Sequence, residues 1–245
     1  MSSNSISLDI KSVLGALVIG LVSVFGLAWI SGSAFVALPF PVLSVLSGFI
    51  LTGMAAGLLS KGETIAEPGI SSVLVSIALY FFLPGLHLQG FADLTPELML
   101  TVGMNGVLLS FAGAWAGEKF QGTQEGEASE EQVMEWGWVL AGTILGIMVT
   151  ILMSTLFIVL FGLKTDPQFI GFVIGLLSTG FIIGFRSPGI TIKEAALAGF
   201  FALVIDLDVL TIALVPPSFD GIMISLVLGT VLAMVGAWIG EKVQG

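Results

Sequence analysis

"GAWAGEKFQG" at Gly113–Gly122 returns as "GAWIGEKVQG" at Gly236–Gly245, an offset of 123 residues. A second phrase, "TGMAAGLLSKGETIAE" from Thr52, returns as "TGFIIGFRSPGITIKE" from Thr179 at an offset of 127, so the second copy is four residues shorter between the two anchors. Two matched blocks in the same order predict a tandem duplication. The expected units are residues 1–122 and 135–245, joined by a linker over 123–134.

Composition sets the solvent in which these units must fold. Of 245 residues, 56% are apolar and only 10% are charged, and mean hydropathy is +1.10. A soluble chain carries about a quarter charged residues to cover its surface, so an all-α membrane protein is expected. There is no cysteine, which excludes disulfide frameworks, thiol catalysis and thiolate metal sites. Much of the net charge of −10 falls between Glu118 and Trp136, where six glutamates face one lysine. That stretch reads as a solvated acidic linker, and its sign excludes nucleic acid as a partner.

Each unit divides into four apolar stretches long enough for a hydrocarbon core of about 30 Å. In the first they run Val13–Val36, Val42–Leu59, Ile65–Leu86 and Leu98–Gly117; in the second, Gly137–Phe161, Phe169–Phe185, Ile192–Leu207 and Ile222–Gly240. Backbone groups in lipid must be satisfied within their own segment, so these should be helices. The first stretch has small residues near its end, as a secretion signal does, but its counterpart after the linker predicts that it is retained. Eight transmembrane helices follow, arranged as two parallel four-helix repeats. An even number of spans gives both repeats the same orientation, and Lys11, Lys61, Lys119, Arg186, Lys193 and Lys242 then fall on one side with Lys164 alone on the other. The positive-inside rule makes that side cytoplasmic, with both termini and the linker. Trp115, Trp136, Trp138 and Trp238 fall at the same boundary as interfacial rings.

"TIAE" and "TIKE" both fit S/T-x-x-E before an apolar run. Thr64 and Thr191 are predicted N-caps, with Glu67 and Glu194 reaching back to the cap N–H as a capping box. The alternative is a cytoplasmic site for a head group or partner at these two helix N-termini, with Arg186 and Lys193 adding charge. Gly106, Gly113 and Gly117 match Gly229, Gly236 and Gly240, and spacings of seven and four put each trio on one helix face, where a neighbouring backbone can approach. Gly53 and Gly57 match Gly180 and Gly184 in the same way. Packing is the expected role, with a glycine-lined solute path as the alternative.

The pattern G-x3-G-x2-S-x-G-x-T-I-x-E, at Gly53–Glu67 and Gly180–Glu194, resembles uncharacterised glycine-rich four-helix membrane protein families of archaea and bacteria. The resemblance covers mainly the second and third stretches of each unit. It implies a membrane unit with no assigned activity, here present as two fused copies.

Residues that could carry chemistry are few. His87 is the single histidine and has no partner for metal or haem; it is expected at an interface. Asp206 and Asp208 stand two apart, so they point to nearly opposite sides of a helix. They are expected as exposed carboxylates at the outer interface, with an ion-pathway role as the alternative. H-E-x-x-H, P-loop and G-x-S-x-G signatures do not occur. No catalytic, metal or cofactor-binding residue is assigned and no cofactor is expected. The reading is a non-catalytic structural or accessory subunit of a cell-membrane assembly, surrounded by the lipid bilayer and in contact with other membrane subunits or with itself. The alternative is a small-solute channel or transporter with its path between the repeats.

Overall fold

The computed structural model describes residues 8–35, 39–60, 65–122, 134–162, 165–188, 191–213 and 218–244. Eight α-helices account for nearly all of them: α1 (Ile10–Ala34), α2 (Pro39–Leu59), α3 (Ala66–Phe82), α4 (Pro96–Gln121), α5 (Trp136–Phe161), α6 (Thr165–Arg186), α7 (Thr191–Ala213) and α8 (Phe219–Gln244). There is no strand among the described residues. Six helices, α1, α2, α4, α5, α6 and α8, are long and apolar enough to cross a membrane. The chain is therefore an all-α protein of membrane type.

Local chemistry explains where the helices begin and end. Asp9 caps α1, its carboxylate accepting from Lys11 N–H at 3.0 Å and from the Ser12 hydroxyl at 2.9 Å. Thr95 caps α4 ahead of Pro96, and Gly122 ends that helix at φ 80°, a left-handed closure that glycine makes without a Cβ penalty. The third apolar stretch does not stay helical to Leu86. α3 stops at Phe82, and Pro84 opens the first of two 3-10 turns, Pro84–Leu86 and Gln89–Phe91, because proline has no N–H to donate and its ring collides with the carbonyl four residues back. The other correction is at Glu118: the acidic stretch does not begin as linker, since α4 runs to Gln121 with Glu118 and Phe120 buried. Most of the remaining linker lies outside the described residues.

Hydroxyl residues inside the helices return their hydrogen bonds to their own backbone. Ser31 bonds to Leu27 O, Ser47 to Leu43 O, Thr52 to Gly48 O, Thr143 to Val139 O and Thr179 to Gly175 O. An unpaired hydroxyl in an apolar setting costs free energy, so the i−4 carbonyl is the available remedy.

Packing is governed by glycine. α2 and α4 run parallel and so close that a methyl on Gly53 or Gly57 would overlap the carbonyl oxygens of Ser110 or Ala114, while one on Gly113 or Gly117 would meet those of Ile50 or Met54. α6 and α8 repeat this contact: Gly180 and Gly184 face the carbonyls of Ala233 and Ala237, and Gly236 and Gly240 face those of Leu177 and Phe181. Gly106 lies on the Phe49 ring, and Gly229 on Leu203 and Leu176. α1 and α3 complete the first half around Val24, Val45, Phe49, Val75 and Leu79. α5 and α7 complete the second half.

The halves meet where α5 lies against α4 and α2. Ile50, Met54, Ala116, Phe120, Trp138, Ala141, Leu145 and Met148 fill that joint, and Ser44 and Thr155 share a hydroxyl–hydroxyl bond of 3.1 Å across it. Trp138 is thus not an interfacial ring. It is buried against Phe120, with Lys119 Nζ 5.6 Å from its centroid. Trp136 and Trp238 do remain exposed.

Gly113→Leu and Gly236→Leu are expected to destabilise the protein by at least the ~1–3 kcal/mol typical of overpacking, because the obstacle is backbone and cannot rotate away. Gly26, where a methyl would meet nothing within 4 Å, is the control: Gly26→Ala should leave thermal unfolding in detergent unchanged. Equal melting of Gly236→Leu and the parent would refute the close approach.

Candidate functional site

The two copies of the repeated phrase lie at one end of the bundle, where α1, α3, α5 and α7 begin and α2, α4, α6 and α8 end. Thr64 is outside the described residues, and α3 starts after Ile65 without a side-chain cap bond. What the glutamates do is cap a different helix from their own. Glu67 Oε1 accepts from the Asp9 N–H at 3.0 Å, at the head of α1. Glu194 Oε1 accepts from the Glu135 N–H at 2.8 Å, at the head of α5. Each carboxylate sits in the first turn of its own helix, α3 or α7, and at the N-terminus of a neighbour. Both positions favour negative charge.

Burial makes these bonds matter. Glu194 is 0% exposed, and its second oxygen accepts from the buried Ser187 hydroxyl at 2.5 Å. Glu67 is also buried. Glu135 carries the link onward: its N–H goes to Glu194, and its carboxylate pairs with Lys119 Nζ at 2.8 Å. Lys119 is mostly buried where it lies over Trp138. This relay ties the start of α7 to the start of α5 and the end of α4. At the corresponding place in the first half, Gln121 Nε2 donates to Ser60 O at 2.9 Å and to Leu58 O at 3.2 Å, fastening the end of α4 to the end of α2.

Thr191 opens α7 and is buried. Arg186 and Lys193 are exposed, and neither makes an ion pair among the described residues. The anions at the heads of α1 and α5 are the protein's own glutamates. His87 is exposed and left-handed at φ 50°, with Nδ1 2.9 Å from Gly85 O. No cluster of three metal-ligating side chains occurs among the described residues.

The aspartates separate as their spacing requires. Asp208 is exposed, but Asp206 corrects the expectation of two exposed carboxylates: it is only 7% exposed, and both its oxygens lack a hydrogen-bond partner. Thr150 on α5, which the sequence reading passed over, is 5% exposed with its hydroxyl unpaired. Its one signal was a hydroxyl in mid-helix at a place where α1 carries valine.

No family model, curated protein or solved structure matches this chain.

Glu194→Ala and Glu67→Ala should each cost about 1–3 kcal/mol, the penalty for stranding a buried donor. Glutamine retains an acceptor oxygen and should restore part of the loss, read as unfolding followed by circular dichroism. Acid should also loosen the head of α1. The Ser12 hydroxyl, more than any other group, holds the Asp9 carboxyl below its ordinary value, aided by the Lys11 and Ser12 backbone and opposed by desolvation. A depressed value stabilises the fold above the unfolded-state pKa, and that contribution is lost as pH falls through the folded one. Asp9→Asn, which still caps, should remove this acid dependence from amide exchange in the first turn of α1.

Proposed function

We propose that this chain is an eight-span protein of the cell membrane, built from two parallel four-helix repeats, that acts as a non-catalytic scaffold or accessory subunit of a membrane assembly. The observation that carries the reading is the closure of both halves by backbone-to-backbone contact. Gly53, Gly57, Gly113 and Gly117 in the first half, and Gly180, Gly184, Gly236 and Gly240 in the second, meet carbonyls at matching positions. The pairing holds at the sequence offsets of 127 for α2 and α6 and 123 for α4 and α8. Helices packed this closely resist relative sliding. That suits a rigid platform.

The polar ends support the proposed orientation. Helix direction brings Lys11, Lys119, Arg186, Lys193 and Lys242 to the end that also holds Glu67 and Glu194. By the positive-inside rule this end faces the cytoplasm, with both termini and the acidic linker. The opposite faces of α1 and α8 present Val18, Val22, Trp29, Ile224 and Val227 outward, where lipid or another subunit covers them.

The second reading, a transporter, draws support from one observation, the unpaired Asp206 inside the second half. A path between the repeats has less support, since the α4–α5 joint is occupied by Phe120, Trp138, Leu145 and Met148.

Single cysteines at Ser3, Thr123 and Asp93, probed with an impermeant maleimide, test the topology: Asp93→Cys should label from outside, and the other two only after permeabilisation. External labelling at Thr123 would reject the eight-span arrangement. Protein in liposomes should drive no ion-coupled solute uptake, and crosslinking in native membranes should trap the chain in a species larger than a monomer. Uptake that Asp206→Asn abolishes would replace the scaffold with the transporter.

A further inference from the structure

α5 and α7 run parallel along a seam of small residues. A methyl on Gly142 would lie 3.0 Å from Ala198 Cβ, and one on Gly146 would lie 2.9 Å from Ala202 Cβ. One turn further along each helix stand Thr150 and Asp206, at the same level of the seam. Thr150 also faces α6, where a methyl on Gly175 would lie 2.7 Å from its Oγ1. Unlike Thr143 and Thr179, Thr150 does not bond to the carbonyl four residues back. Two unpaired polar side chains therefore share one buried level.

The first half contains the same place with different chemistry. Gly20 meets Thr52 and Val75 as Gly146 meets Thr179 and Ala202, and Gly48 meets Val24 as Gly175 meets Thr150. These matches put Val24 at the position of Thr150 and Leu79 at that of Asp206. Val24 is 0% exposed, Leu79 is 1% exposed, and both belong to one apolar cluster. The architecture therefore closes at this point with apolar side chains, and the second half has polar ones that nothing in the packing requires.

Among the described residues, no basic group shares this level. α5 has no charged residue from Trp136 to Phe161. On α6, Asp166 lies about 13 Å along the axis from Gly175 and Arg186 is at the far end. On α8, Asp220 is about 9 Å further out than the level of Asp206, while Glu241 and Lys242 are at the opposite end. On α7 itself, Lys193 and Glu194 are in the first turn and Asp208 points outward. An ionised carboxylate left alone in such a setting is strongly disfavoured. Its occupant must be a cation from outside, and two carboxylate oxygens plus one hydroxyl fall short of the six or more that hard metal ions take. A proton needs one oxygen.

We propose that the Asp206 carboxyl is a proton-binding group in the second half; Thr150, at the same level, makes no hydrogen bond to it in this structure, and its hydroxyl is the acceptor to which the protonated carboxyl turns. Release of the proton leaves a carboxylate, which draws water into the α5–α7 seam. The site thereby makes that seam responsive to proton supply, a property beyond the scaffold reading and independent of it.

Infrared difference spectroscopy of the full-length protein in liposomes tests this. At neutral pH a protonated-carboxyl C=O band should be present. Asp206→Asn should abolish it, Thr150→Val should shift it to higher frequency, and Asp208→Asn should leave it unchanged. Exchanging choline chloride for sodium chloride at fixed pH should not alter the band; its loss in sodium would overturn the proton in favour of the metal ion. Asp206→Leu with Thr150→Val, which reproduces the apolar pair of the first half, should fold and melt higher than the parent. A band that survives Asp206→Asn, or one indifferent to Thr150→Val, would overturn the site.

Discussion

Close approach of helix backbones is the constraint on which this structure depends. In an apolar solvent the hydrophobic effect gives helices little reason to associate, so they are held by van der Waals contact and by what their polar groups can reach. Glycine maximises the first. At Gly53 against Ser110 and Gly180 against Ala233 there is no room for a β-carbon, and this contact fixes the distance between α2 and α4 and between α6 and α8. The positions of the flanking helices follow. α1 and α3 fit around the first pair with valine, phenylalanine and leucine, and α5 and α7 fit around the second with smaller side chains such as Ala195, Ala198 and Ala202.

Helices this close leave their termini as the remaining problem, because the first N–H groups of each have no partner in their own helix. Two glutamates solve it across helices. Glu67 serves α1 from α3, and Glu194 serves α5 from α7. Each also gains from its place in the first turn of its own helix. A cap contributed by another helix is a tertiary contact as well as a local one, so it fixes the lengthwise registration of α3 on α1 and of α7 on α5. That registration sets Leu79 at the level of Val24 in one half and Asp206 at the level of Thr150 in the other.

Much of the helical plan was legible in the sequence, and the reason is physical. A hydrocarbon solvent demands long uninterrupted apolar helices, so the stretches from Val13 and from Gly137 could only become α1 and α5. The early end of α3 was written at Pro84 but depends on how far the helix can run before the ring collides with Tyr80. The site was less legible. S/T-x-x-E is a local pattern, and Glu67 and Glu194 satisfy it in spelling while spending a carboxylate oxygen on residues 58 and 59 positions away. Trp138 was misplaced for a similar reason: a tryptophan near a helix end reads as interfacial unless another helix, here α4 with Lys119 and Phe120, covers it. Asp206 lay beyond local reading altogether, since its burial depends on the helices packed against α7.

The two halves differ most where their cores should be most alike. Matching glycine contacts put Val24 and Leu79 of the first half where Thr150 and Asp206 stand in the second. A scaffold that needed only rigidity would gain from an apolar pair in both places, since an unpaired carboxyl and an unpaired hydroxyl each cost on the order of 1–3 kcal/mol in a buried setting. The second half tolerates that cost because its glycine seams and its Glu194–Glu135–Lys119 relay hold the helices independently of the pair. Stability at the cytoplasm-facing end by this reading, and a polar point about 18 Å beyond Glu194 along α7, divide the second half into an anchored end and the end proposed to respond. The first half, with the apolar Val24 and Leu79 at the equivalent place, supplies the fixed frame against which the proposed response would occur.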